Sequence, residues 1–91
     1  VVCLEVSSYT SRAVICNRGA YLLEWSVSGK DIILPGDPDR PTWSGMAIMI
    51  PFANRIKNGE YEFEGIKYSL PRNKEGHAIH GLILNEEWSI T

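Results

Sequence analysis

No stretch of this sequence is apolar for long enough to cross a bilayer. The longest such run, Met46–Phe52, falls far short of the roughly 20 residues a spanning helix requires. There is no C-x-x-C pair to suggest a metal or redox centre, and the 91 residues hold only two cysteines, Cys3 and Cys16. Neither sign of charge dominates. A formal net charge of -2 gives no reason to expect nucleic acid or a membrane surface as partner. The nucleophile elbow G-x-S-x-G, the phosphate loop G-x-x-x-x-G-K-[ST] and the dinucleotide fingerprint are missing as well. Val1–Val6 is too short and too uncharged for a signal peptide, and the chain opens without methionine, so it is expected to be a section of a longer protein. With no export signal, the expected setting is the cytoplasm, with the cysteines as two half-buried free thiols; they could pair only if their strands lay side by side.

What is present reads as β-structure. A 44% hydrophobic and 22% charged composition suits a folded domain. Tyr21, Leu23, Trp25 and Val27 alternate with Leu22, Glu24 and Ser26, the period of two that puts one apolar face on a strand. Asn17-Arg18-Gly19 and Ser28-Gly29-Lys30 bracket it with turn residues, so Arg12–Cys16 and Asp31–Leu34 are expected as flanking strands. Pro35–Ser44 holds three prolines and reads as a loop, and the apolar Gly45–Pro51 as a buried strand. Asn58-Gly59 is the strongest hairpin signal, followed by alternating Tyr61 and Phe63 and a second turn at Glu64-Gly65. The last residues, Trp88–Thr91, read as a strand. Trp25 and Trp88 are expected in a core, and Trp43, in the proline-rich loop, at the surface. No segment carries a helical period. The fold class is all-β.

Polar groups gather beside apolar segments in two places, Phe52–Arg55 and Arg72–His80. Arg55 offers five fixed donors, suited to hydroxyls or carboxylates held in one orientation; an ion pair or a plain surface arginine is the simpler reading of the residue alone. Asn54 can equally be a turn residue in left-handed backbone. His77 and His80, three apart, point to opposite faces of a strand and are not expected to converge on a metal. Either one could transfer a proton or merely satisfy a backbone group.

Taken in order, Ser44-Gly45, Ile50-Pro51-Phe52-Ala53-Asn54-Arg55-Ile56, Asn58-Gly59-Glu60-Tyr61, Gly65, Tyr68, Leu70, Asn73, His77-Ala78-Ile79-His80-Gly81 and Trp88 resemble the aldose 1-epimerase family. Gly19-Ala20, the alternating strand and Gly29 look like that family's first hairpin. The resemblance implies an antiparallel β-sandwich of the galactose mutarotase-like supersandwich type. Residues 1–91 would be the N-terminal part of one such domain, incomplete at its C-terminal end. It implies an isomerase that interconverts the α and β anomers of an aldohexose such as glucose or galactose, without metal or organic cofactor. By the family's motifs, Arg55 and Asn54 match substrate-binding positions. His80 matches the histidine that lines the sugar pocket near the ring oxygen, and so is both a substrate-binding and a catalytic candidate. The family's general base, a late glutamate, and its second histidine match no residue here, so the chain alone is expected to be inactive. The remainder of the same protein, or a homo-oligomer, would be its protein partner. A hexose-6-phosphate 1-epimerase-like enzyme and a non-catalytic carbohydrate-binding β-sandwich are the alternatives; the first would need clustered arginines around a phosphate, and Arg18, Arg40 and Arg72 are scattered.

Overall fold

The computed structural model describes residues 1–91. It holds eight β-strands, every pairing antiparallel, and no α-helix. The all-β expectation is the fold observed. The chain divides into two compact units, Val1–Ile48 with Ile83–Thr91, and Met49–Leu82.

The first unit is built on a four-stranded meander of β1 (Cys3–Ser8), β2 (Ser11–Cys16), β3 (Tyr21–Val27) and β4 (Lys30–Asp31), in that spatial order. Two-residue turns close its tight hairpins. Ser28 and Gly29 both take positive φ between Val27 and Lys30, matching the right-handed twist of the strands they join. The strand expected over Asp31–Leu34 ends at Asp31. Beyond it the chain follows β3 through single hydrogen bonds, Ile32 N–H to Trp25 C=O at 2.8 Å and Gly36 N–H to Leu23 C=O at 2.8 Å, and Pro35 between them has no donor to continue a ladder.

β3 differs from the simple alternation in one respect. Its register against β2 shifts: Val14 faces Glu24, yet the next residue, Ile15, faces Leu22, leaving Leu23 as the extra residue of a β-bulge. An odd insertion reverses which face each later side chain occupies. Tyr21 therefore shares a face with Cys16 and Val14. Trp25 shares the other with Ala13 and, one strand further, Val6. The expected single apolar face of Tyr21, Leu23, Trp25 and Val27 is split in two.

The Tyr21 face holds this unit's buried hydrophobic residues: Val14, Cys16 and Tyr21. The Tyr21 hydroxyl donates to the Ser44 carbonyl and accepts the Asp37 N–H at 3.2 Å, so one side chain fastens both ends of the proline-rich loop. Farther along the same face, Arg12 lies between Glu5 and Glu24, and its pKa is raised, first by the hydrogen bond to Glu5. On the opposite face Leu4, Val6 and Trp25 stay exposed.

Further expectations need correction. Gly45–Pro51 is not a buried strand: Met46 exchanges both backbone bonds with Leu22, but the bridge is isolated, and Ile48 and Ile50 are exposed. A strand needs a partner's backbone, and apolar composition does not supply one. Trp88–Thr91 is likewise not a strand, its only tie being Trp88 N–H to Asn17 C=O at 2.8 Å beside an isolated Arg18–Glu87 bridge. Trp25 and Trp88 are 38% and 46% exposed rather than core, and Trp43 is the most exposed of the three.

The cysteines are not free thiols. Cys3 is the register partner of Cys16 across β1 and β2, and the two form a disulfide. β1 is an edge strand, held laterally by one neighbour, and the crosslink limits how far it can fray. Replacing both cysteines by serine is expected to cost on the order of 2 kcal/mol, since the bond closes a short loop in the unfolded chain. Denaturant melts of the oxidised protein and the double variant would measure this. Equal midpoints would show that the crosslink contributes nothing.

The second unit contains β5 (Arg55–Ile56), β6 (Glu60–Phe63), β7 (Ile66–Ser69) and β8 (Ala78–Ile79). β6 and β7 form a hairpin through Glu64-Gly65, both at positive φ, with Tyr61 stacked on its cross-strand partner Tyr68 at 5.0 Å between centroids. Asn58-Gly59 has the backbone its sequence suggests, φ 58° and 64°, with Glu60 N–H bonded to the Lys57 carbonyl. It does not make a hairpin, however. The strands it joins, β5 and β6, pair elsewhere, β5 with β8 and β6 with β7.

Candidate functional site

Asn54, Arg55 and His80 are brought together by the β5–β8 pair. That ladder is two residues long, Arg55 opposite Ile79 and Ile56 opposite Ala78, the last fully buried. Asn54 and His80 stand just outside it and close its end. His80 N–H donates to the Asn54 carbonyl at 3.0 Å, and Asn54 N–H donates to His80 Nδ1 at 3.2 Å. The Asn54 side chain turns back, its Oδ1 accepting Arg55 N–H at 2.9 Å. Both residues sit in left-handed backbone, φ 62° and 58°. Asparagine adopts that region more readily than most residues, and histidine is also enriched there.

These bonds fix the chemistry of the imidazole. A ring nitrogen that accepts an amide hydrogen has its lone pair occupied, so in the neutral ring the proton sits on the other nitrogen. His80 therefore presents Nε2–H as a donor. The Asn54 amide selects this tautomer, and the half-buried ring is held by both its backbone and its side chain.

His77, on the other side of β8, has a different partner. Its Nδ1 accepts Asn58 N–H at 2.9 Å, which ties it to the Asn58-Gly59 turn. No group of three or more His, Cys, Asp and Glu side chains gathers to hold a metal ion.

Arg55 is half-exposed, and its guanidinium lies 3.9 Å from the Glu75 carboxylate, itself exposed. Glu75 belongs to a loop organised by Asn73. Asn73 Oδ1 accepts the amides of Glu75 and His77 at 3.0 and 3.1 Å, while its backbone accepts Gly76 N–H at 3.0 Å and donates to the His77 carbonyl at 2.8 Å. The signal for this lay in the sequence, an asparagine opening a short polar loop and able to bond amides two residues on. Glu75 carried no local signal, because its pairing with Arg55 is a product of the β5–β8 register. Arg72 is also engaged, donating to the Asn58 carbonyl at 2.6 Å and to Glu60 at 3.1 Å.

Gly81 completes the frame. Its φ is +77°, and a Cβ at this position would overlap the backbone of Ile50, whose carbonyl accepts Leu82 N–H at 2.7 Å. Glycine after His80 thus lets two backbone segments approach closely.

Residues 3–91 match the family described as aldose 1-epimerase. The chain is 35% identical over 82 residues to "Uncharacterized protein YihR" of Escherichia coli K12, an alignment covering 87% of this chain and 27% of that protein. A crystal structure of an E. coli K12 protein described as a "Putative aldose 1-epimerase" shares its fold with a TM-score of 0.81 at 21% identity, over 96% of this chain and 31% of that one. The chain spans under a third of the length of either relative.

Proposed function

The chain belongs to the aldose 1-epimerase family, and from that membership we propose that it supplies the substrate-holding side of a mutarotase acting on an aldohexose. The observation that carries the proposal is the interlocked Asn54–His80 pair beside Arg55. It offers one oriented imidazole N–H and one guanidinium on the same short strand pair.

Interconverting anomers requires opening the hemiacetal. A base removes the anomeric hydroxyl proton, an acid protonates the ring oxygen as its bond to C1 breaks, rotation about C1–C2 follows, and the ring closes on the other face. In this reading His80 Nε2–H points its donor at the ring oxygen, where negative charge develops. Arg55 holds sugar hydroxyls so that the transfers occur within a fixed geometry. Asn54 acts on substrate and also through His80, by keeping its proton on Nε2. The base and the second histidine of the family come from residues beyond these 91, so the isolated chain is proposed to be inactive. The mutarotase-like domain would then be completed by the rest of the protein.

No helix is long and apolar enough to cross a membrane. The cytoplasm is the proposed setting. The Cys3–Cys16 disulfide counts against that setting, because cytosolic thiols are generally kept reduced outside hyperthermophiles.

In the full-length protein, Arg55→Ala is expected to raise KM for α-D-glucose or α-D-galactose about tenfold, the loss of a charged donor to a hydroxyl. Polarimetry of the approach to anomeric equilibrium, paired with a thermal melt, would test it. An unchanged KM in a folded variant would remove Arg55 from the site.

A further inference from the structure

We propose that Glu75 is a specificity-determining residue of the Arg55 site, making it a receptor that favours uncharged vicinal hydroxyls over phosphorylated or carboxylated ligands. This rests on the sugar-binding reading and goes beyond it by naming the residue that sets the accepted charge.

Two observations carry it. The first is that the arginines of the Met49–Leu82 unit both face carboxylates. Arg55 faces Glu75 at 3.9 Å, and Arg72 is committed to Glu60 at 3.1 Å and to a backbone carbonyl. Recognition of a phosphate uses a guanidinium fork free to donate two parallel bonds. The second is that the backbone carrying Glu75 is held in place. Its own amide and the neighbouring Gly76 and His77 amides are all held by Asn73, which fixes the loop from which the carboxylate projects.

The pair has complementary valences. Guanidinium is donor only and ionised carboxylate acceptor only, whereas a hydroxyl is both. Two adjacent sugar hydroxyls can accept from Arg55 and donate to Glu75, satisfying both partners at once. An anion can use only the Arg55 half and must approach a carboxylate of its own sign. At an exposed site the resulting repulsion is partly screened, so the discrimination is a matter of about tenfold rather than exclusion by many orders.

The experiment follows the Arg55 Nε–H resonance of the 15N-labelled full-length protein, assigned by its loss in Arg55→Lys. Separate titrations use D-glucose and inorganic phosphate, with wild type, Glu75→Gln and Glu75→Asp. Glucose is expected to shift the wild-type signal, and phosphate to shift it only weakly. Glu75→Gln should bind phosphate at Arg55 about tenfold more tightly and glucose severalfold more weakly, and Glu75→Asp should restore the wild-type order. A phosphate response equal in wild type and Glu75→Gln overturns the proposal, while the sugar reading stands if glucose still shifts the signal. A signal unmoved by glucose in every protein overturns the sugar reading, and the proposal with it.

Discussion

His80→Asn in the full-length protein is expected to lower kcat for anomer interconversion by roughly 10²- to 10³-fold, the scale of losing a positioned proton donor. Asparagine is the informative replacement. His80 sits at φ 58°, a region asparagine adopts readily, so the backbone that closes the β5–β8 pair should survive. The shorter side chain keeps polarity but cannot carry a proton to the position of Nε2. The melting temperature should therefore stay near wild type while turnover collapses. A folded His80→Asn protein with normal kcat would show that this histidine only fastens Asn54, and the catalytic assignment would fall. Loss of folding in this variant would mean that the imidazole is structural first. His80→Gln, longer and able to offer an amide N–H, is expected to recover part of the binding and little of the rate.

Gly81→Ala should be the most damaging single methyl group in the second unit. Two penalties coincide there, a φ of +77° that alanine tolerates poorly and a Cβ aimed into the Ile50 backbone. Together they should cost about 3 kcal/mol, the sum of a left-handed strain and an overpacked contact. Urea melts of full-length wild type and variant give the difference. The same experiment on Gly65, which has positive φ but no neighbour within 4 Å of an added Cβ, isolates the strain alone and should show a smaller loss. Equal losses at both positions would mean that the Ile50 backbone yields at no cost.

How far the sequence could be read depended on whether a feature was local. The Glu64-Gly65 hairpin and the left-handed Asn58-Gly59 turn were legible because each is written in adjacent residues whose backbone preferences decide the outcome. The strand Tyr21–Val27 was legible in extent but not in facing. Leu22 and Leu23 are both apolar, so nothing in the pattern marks the bulge between them and Val14-Ile15. The length of β4 and the fate of Gly45–Pro51 depended on which backbone groups found partners, a long-range matter. The disulfide was nearer to hand. Cys3 and Cys16 are equidistant from the Tyr9-Thr10 turn, and recognising that turn would have placed them face to face. Tyr-Thr is not a turn dipeptide by composition, and Tyr9 takes its φ of 52° at full exposure. At the site, Arg55, Asn54 and His80 were named by motif resemblance. Their mutual bonds, the fixed tautomer and the Glu75 partner needed the strand pairing.

The bulge at Leu23 gives the first unit one place where a strand can change length without changing its facing. Deleting that one residue would leave three steps between Tyr21 and Trp25, equal to the three between Ala13 and Cys16 on β2. The pairs Trp25–Ala13, Glu24–Val14, Leu22–Ile15 and Tyr21–Cys16 would then form one regular ladder, with Tyr21 and Trp25 on the opposite faces they already occupy and the Tyr21 hydroxyl still within reach of Ser44 and Asp37. The strand carries one residue more than its ladder uses, so the loss of one codon here turns no side chain over. Within β3, a single-residue deletion should be tolerated between Tyr21 and Trp25 better than between Trp25 and Val27, where every residue has a partner across β2.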